Sequence, residues 1–76
     1  MKEMLELLVK SLVDNPDKVE ITENVSENDV TLEMKVDPAD MGKVIGKQGK
    51  IVKAIRTLMK AYGTKVNKKI NVEILD

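Results

Sequence analysis

The 76 residues predict an α/β domain of the two-layer α+β kind, in the order helix, strand, strand, helix, helix, strand. Two observations carry that prediction. Apolar spacing is helical at the start and in the third quarter of the chain, and alternates in three short stretches between and after. Each alternating stretch has one apolar and one polar face, so three strands should form a sheet with every helix packed on one side. A chain this short supports one core, and no repeat, linker or low-complexity stretch divides it, so residues 1–76 form a single domain.

Met4, Leu5, Leu7, Leu8, Leu12 and Val13 recur at helical spacing, and Asn15-Pro16 ends the run. From Lys18 to Val25 the apolar residues Val19, Ile21 and Val25 alternate with polar ones, and Ser26-Glu27-Asn28-Asp29 reads as a turn. Val30, Leu32, Met34 and Val36 make a second strand, antiparallel to the first. Asp37-Pro38-Ala39-Asp40 is a helix start, with Asp37 as cap, Pro38 at the first helical position and Asp40 placed as a capping-box acid. Met41, Val44 and Ile45 give this short helix its buried side. A longer helix runs from about Lys50 to Gly63, a residue suited to a left-handed cap. Ile51, Ala54, Ile55, Leu58, Met59 and Tyr62 share one arc of it, and Lys50, Lys53, Arg56 and Lys60 the opposite arc. Ile70, Val72 and Ile74 form the last strand.

Composition narrows the chemistry. With no cysteine and no histidine there is no disulfide, no thiolate or imidazole metal site, and none of the usual nucleophile–base pairs, so neither an enzyme nor a metal or other cofactor is expected. No apolar run approaches the thickness of a bilayer, and Met1 to Val13 lacks the pattern of a secretory signal, which makes a membrane role unexpected and the cytoplasm the expected compartment. Net charge is zero, yet residues 1–40 carry four lysines against eleven acids and residues 41–76 nine basic residues against two. Such polarity suits contact with a polyanion.

The residues that point furthest are Gly46-Lys47-Gln48-Gly49, between the two later helices, with Lys43 and Lys50 close by. Glycines at both ends let the chain turn tightly and offer its amides outward at a helix start, where a phosphate oxygen is attracted. Taken alone, the four residues fit an ordinary helix–helix turn equally well. Their setting is more specific: a strand, an Asp-Pro cap, a short helix ending Val44-Ile45, the loop, Ile51-Val52 and Ile55 on a basic helix, and a strand.

This arrangement resembles the K-homology (KH) domain, whose core matches from about Val30 to Leu75. With the preceding helix and strand it resembles the bacterial type II form over the whole chain. The stretch VIGKQGKIVKAIR is similar to that of the small single-KH RNA-binding proteins of bacteria, the KhpA or YlqC family. The resemblance implies that Gly46, Lys47, Gln48 and Gly49 grip the backbone of single-stranded RNA, with Lys43, Lys50 and Lys53 adding charge. It also implies that Val44, Ile45 and Val52 wall an aliphatic groove for bases, with the Val30 to Val36 strand as its other side. Single-stranded DNA is a second candidate ligand. The family's homodimers, its pairing with a larger KH-containing protein and its role in post-transcriptional regulation, as RNA chaperones, become expectations for this chain. Gln48 stands where many KH loops have glycine, and Val52 where isoleucine is usual.

Independent of resemblance, a reader that stacks bases on its sheet is excluded, because the one aromatic residue, Tyr62, lies on a helix. A helix-turn-helix duplex DNA binder is a rival, weakened by Lys50-Ile51-Val52 where base-reading polar residues should open the recognition helix. A protein-interaction module burying Tyr62, Met59 and Leu75 in a partner is another. A nucleotide-hydrolysing P-loop fails: Gly49-Lys50 has no glycine five positions earlier and is followed by Ile51.

Overall fold

Asn15-Pro16 interrupts the first run of helical spacing, and in the computed structural model, which describes residues 2–75, helix α1 spans Lys2–Leu12. Its buried side is set by Leu5 and Val9, one turn apart, and an ion pair from Glu6 to Lys10 at 3.6 Å ties its outer surface. Leu7 points away from this stripe and is 70% exposed, so the expected apolar set loses Leu7 and gains Val9. Pro16–Lys18 forms a single 3₁₀ turn, which removes Lys18 from the first strand.

Strands β1 (Glu20–Val25) and β2 (Asp29–Lys35) pair antiparallel, with Ile21 opposite Met34. Their turn is closed by the Ser26 amide and hydroxyl, both donating to the Asp29 carbonyl at 2.8 and 3.2 Å. Val25, expected on the apolar side, sits beside that turn and is exposed. Helices α2 (Met41–Ile45) and α3 (Lys50–Lys65) carry the chain back over the sheet. Strand β3 (Lys69–Ile74) then pairs parallel to β2, with Leu32 opposite Val72. The sheet order is β1-β2-β3, so β2 is central and β3 has one free edge.

Ile21, Val30, Leu32, Met34, Ile70 and Val72 are buried under the helices, where they meet Leu5, Val9, Val44, Ile55 and Met59. The other face of the sheet carries Thr22, Asn24, Thr31, Glu33, Asn71 and Glu73, all exposed or half-buried, with Asn24 donating to Glu33 at 3.1 Å. One apolar layer and one polar face follow directly from the alternation of each strand.

The end of α3 departs from expectation in an instructive way. Gly63 is not its cap. It lies inside the helix, buried, and a Cβ there would come within 2.4 Å of the Lys68 carbonyl oxygen. Its bareness therefore lets the returning chain lie against the helix. Asn67 takes the left-handed position instead, with φ of 58°. The amides of Lys68 and Asn67 donate back to the Gly63 and Thr64 carbonyls at 2.8 and 3.4 Å, the paired bonds of a Schellman ending.

Candidate nucleic-acid interface

Asp37 caps the turn that opens α2, accepting a bond from the Ala39 amide at 2.9 Å. Asp40 does not complete a capping box. It is 1% exposed and reaches instead to the chain leaving α1, accepting from the Asp14 amide (3.2 Å), the Asn15 amide (3.0 Å) and the Asn15 side-chain nitrogen (3.1 Å). Burial alone would raise the Asp40 pKa, but these bonds and the charge of Lys43 outweigh it and hold the carboxyl below its ordinary value. The carboxylate thus locks the start of α2 to the chain leaving α1, and with it the position of the loop that follows.

That loop turns sharply. Gly46 has φ 77° and ψ 174°, a region essentially reserved for glycine, and both Gln48 (φ 56°) and Gly49 (φ 73°) are left-handed. Gly46 also needs its missing side chain for space, because a Cβ there would lie 2.5 Å from Ile51 Cγ1. Lys47 and Gln48 form the exposed corner.

Four outward amides were the expectation, and the hydrogen bonds reduce them to two. The Gly46 amide closes α2 on the Gly42 carbonyl at 2.9 Å, and the Gly49 amide donates to Gly46 at 3.2 Å. The amides of Lys47 and Gln48 have no backbone acceptor among the described residues. They lie adjacent on the corner, as a small donor nest for an anion requires.

Lys47, Lys50 and Lys53 are exposed and, among the described residues, make no ion pair. Lys43 differs from them. Its ammonium bonds the Asp14 carboxylate and lies 3.7 Å from Asp40; the bond to Asp14 and the nearby negative charge raise its pKa. Lys43 is therefore a structural cation, already neutralised where a phosphate would need it bare.

The groove also differs from the expected one. Val44 is fully buried in the core and Val52 nearly so, while Ile45 stays half-buried at the surface beside the loop. The strand Val30 to Val36 cannot be an open wall. It is central, both of its edges are paired, and Val30, Leu32 and Met34 are fully buried. The open edge next to α3 belongs to β3. The amides of Lys69 and Leu75 donate toward β2, so in a parallel ladder the backbone groups of Ile70, Val72 and Ile74 face outward. Arg56 reaches that edge, its Nε donating to the Val72 carbonyl at 3.1 Å. Arg56 is the residue sequence reasoning missed: it appeared as one of four cations on an arc, and only the parallel placement of β3 brings an acceptor to it.

With this geometry in place, comparison with known proteins is specific. The chain matches the family described as "KhpA/KhpB, KH domain" over residues 2–74. It is 57% identical over 75 residues to the "RNA-binding protein KhpA" of Clostridium perfringens, covering 99% of this chain and 100% of that protein. A protein of the same name from Aquifex aeolicus is 51% identical over 76 residues, 100% of this chain and 96% of the relative. That of Listeria monocytogenes is 49% identical over the full length of both. No solved structure gives a significant match. The left-handed glycine loop between two helices, on a three-stranded sheet of order β1-β2-β3, is thus the type II KH fold, and the chain belongs to the KhpA/KhpB KH-domain family.

Proposed function

We propose that the chain binds single-stranded RNA, with the Gly46-Lys47-Gln48-Gly49 corner seated on the phosphate backbone. The single observation that carries this reading is the exposed corner, where two adjacent amides and the cations Lys47, Lys50 and Lys53 have no partner among the described residues. Bases would lie beside Ile45 and the residual surface of Val52, toward the β3 edge and Arg56, a groove built from aliphatic surface and backbone polar groups. The relatives named as RNA-binding proteins support the same ligand. Single-stranded DNA shares the phosphate chain and is the natural competitor. This is a binding module and not an enzyme: the corner offers donors and positive charge, which hold an anion without making or breaking bonds.

Lys47→Asp combined with Gln48→Asp tests it. Both side chains are exposed, so circular dichroism should stay native, while two negative charges meet the incoming phosphates. Affinity for single-stranded RNA should fall about thirtyfold, the order set by like charges brought together at an interface. A native spectrum with unchanged affinity overturns the reading.

The same proposal places the protein in the cytoplasm as a post-transcriptional regulator or RNA chaperone that acts as a pair, with itself or with a larger KH-containing protein. No described helix is long and apolar enough to cross a membrane. Pairing is supported by the flank of α3 opposite Arg56, where Ala54, Leu58 and Ala61 are exposed beside half-buried Tyr62. Leu58 alone is 49% exposed. Of the three residues first expected at such a surface, Met59 is fully buried, Tyr62 packs against the core and Leu75 is exposed. Sedimentation should show a dimer that Leu58→Lys converts to a monomer; an unchanged sedimentation coefficient in the variant removes α3 from the interface.

A further inference from the structure

Basic residues continue past the loop. Lys53, Arg56 and Lys60 occupy successive turns along the side of α3 that faces the free β3 edge, the direction being fixed by the Arg56 bond to Val72. At the far end of that line the surface opens into a cleft between three segments: the end of α3 (Lys60, Thr64), the chain entering β3 (Lys68, Lys69) and the β1–β2 turn (Asn28, Asp29). Lys60 belongs to both the helix flank and the cleft.

The cleft is braced. The Lys68 amide is bonded to Gly63 at 2.8 Å, the Lys69 amide to Asn28 at 2.9 Å, and the Lys68 ammonium lies 3.4 Å from the Glu27 carbonyl. Three lysines face one carboxylate, Asp29, and among the described residues none of the three is in an ion pair. A helix rises about 1.5 Å per residue, so Lys50 and Thr64 are about 21 Å apart along the axis. The loop itself holds about four nucleotides.

We propose that the cleft at Lys60, Lys68 and Lys69 is a second phosphate subsite, joined to the GKQG corner by the Lys53–Arg56–Lys60 flank, so that one RNA strand is held at both ends of α3. This rests on the RNA-binding reading above and extends the ligand beyond the length one loop can grip. The charge is placed for it: the nine basic residues after Met41 include eight that no described acid neutralises, and the flank and cleft hold five of them. A strand leaving the corner along α3 meets a cation at each turn, and no acidic residue lies on α3 itself.

The test compares two RNA lengths with two variants. The probes are an unstructured strand of about four nucleotides, the reach of the loop, and one of about twelve, within the range single-strand grooves accommodate. Lys60→Glu with Lys68→Glu should leave binding of the short strand within about twofold and weaken the long strand about tenfold. It should also flatten the long strand's salt dependence by about 1.4 in log–log slope, two phosphate contacts at roughly 0.7 each. The milder pair Lys60→Gln with Lys68→Gln should show the same ordering if the glutamates disturb the fold. The corner variant Lys47→Asp with Gln48→Asp should weaken both lengths. Equal loss on short and long strands, or none on either, in the cleft variants while the corner variant still fails overturns the second subsite and leaves the first standing. Undiminished binding by the corner variant overturns the RNA-binding reading at the loop, and the subsite with it.

Discussion

Gly46→Ala should destabilise the domain by about 3–4 kcal/mol, whereas Gly49→Ala should cost only about 1 kcal/mol, although both glycines flank the same two residues. The difference lies in what a side chain would meet. At Gly46 the backbone occupies a region that non-glycine residues reach only under strain, and the added carbon would sit 2.5 Å from Ile51 Cγ1 and 2.9 Å from Ile51 Cβ. A new rotamer cannot relieve the second contact, because Cβ is fixed to the backbone of α3. At Gly49 the backbone is ordinary left-handed helix and the nearest atom is Val52 Cγ1 at 3.8 Å, normal contact. Denaturant unfolding of the two variants measures the gap directly. In a domain whose total stability is of order 4–11 kcal/mol, the first loss is large enough to leave a substantial unfolded fraction. Equal losses at the two positions would show that the corner relaxes freely, and the rigid two-amide nest would lose its basis.

Much of this arrangement was legible in the sequence, and what was not has identifiable physical causes. Alternation in Val30, Leu32, Met34 and in Ile70, Val72, Ile74 marks two strands and their apolar faces, but carries no information on sheet order. Placing β2 in the centre therefore had to come from the structure, and with it the transfer of the groove wall to β3 and Arg56. Glycine spacing pointed to the loop, yet Gly63 looked like a cap because glycine serves two purposes. Here it provides close approach, and Asn67 supplies the positive φ. Lys43 looked equivalent to Lys47 by proximity in the chain. Its partner Asp14 is 29 residues away, and no local pattern reveals such a pair. The polar networks that decide which cations are free are long-range, whereas period and capping are local.

The Asp40 carboxylate is where that long-range network should give its largest measurable effect. Asp40→Ala leaves the amides of Asp14 and Asn15 and the Asn15 side chain without their acceptor in a part-buried position, and leaves the exposed Lys43–Asp14 pair to hold the exit of α1 to α2. A fall in melting temperature of about 15 °C is expected for a domain of this size. Asp40→Asn should fall between, since it keeps one acceptor oxygen but presents an NH₂ group to donors. The pH dependence separates this from mere loss of packing. The folded pKa lies below the ordinary 3.8, so the stabilisation is complete above that value and drains away as the pH falls through the lower folded value. The gap in melting temperature between the wild-type protein and Asp40→Asn should thus be widest at about pH 7 and shrink toward about pH 2. A gap that persists unchanged into acid would mean that shape, and not the ionised carboxylate, joins the two helices. Because the loop is carried by α2, the Asp40 variants should also weaken RNA binding at temperatures where they remain folded, without altering any residue at the corner itself.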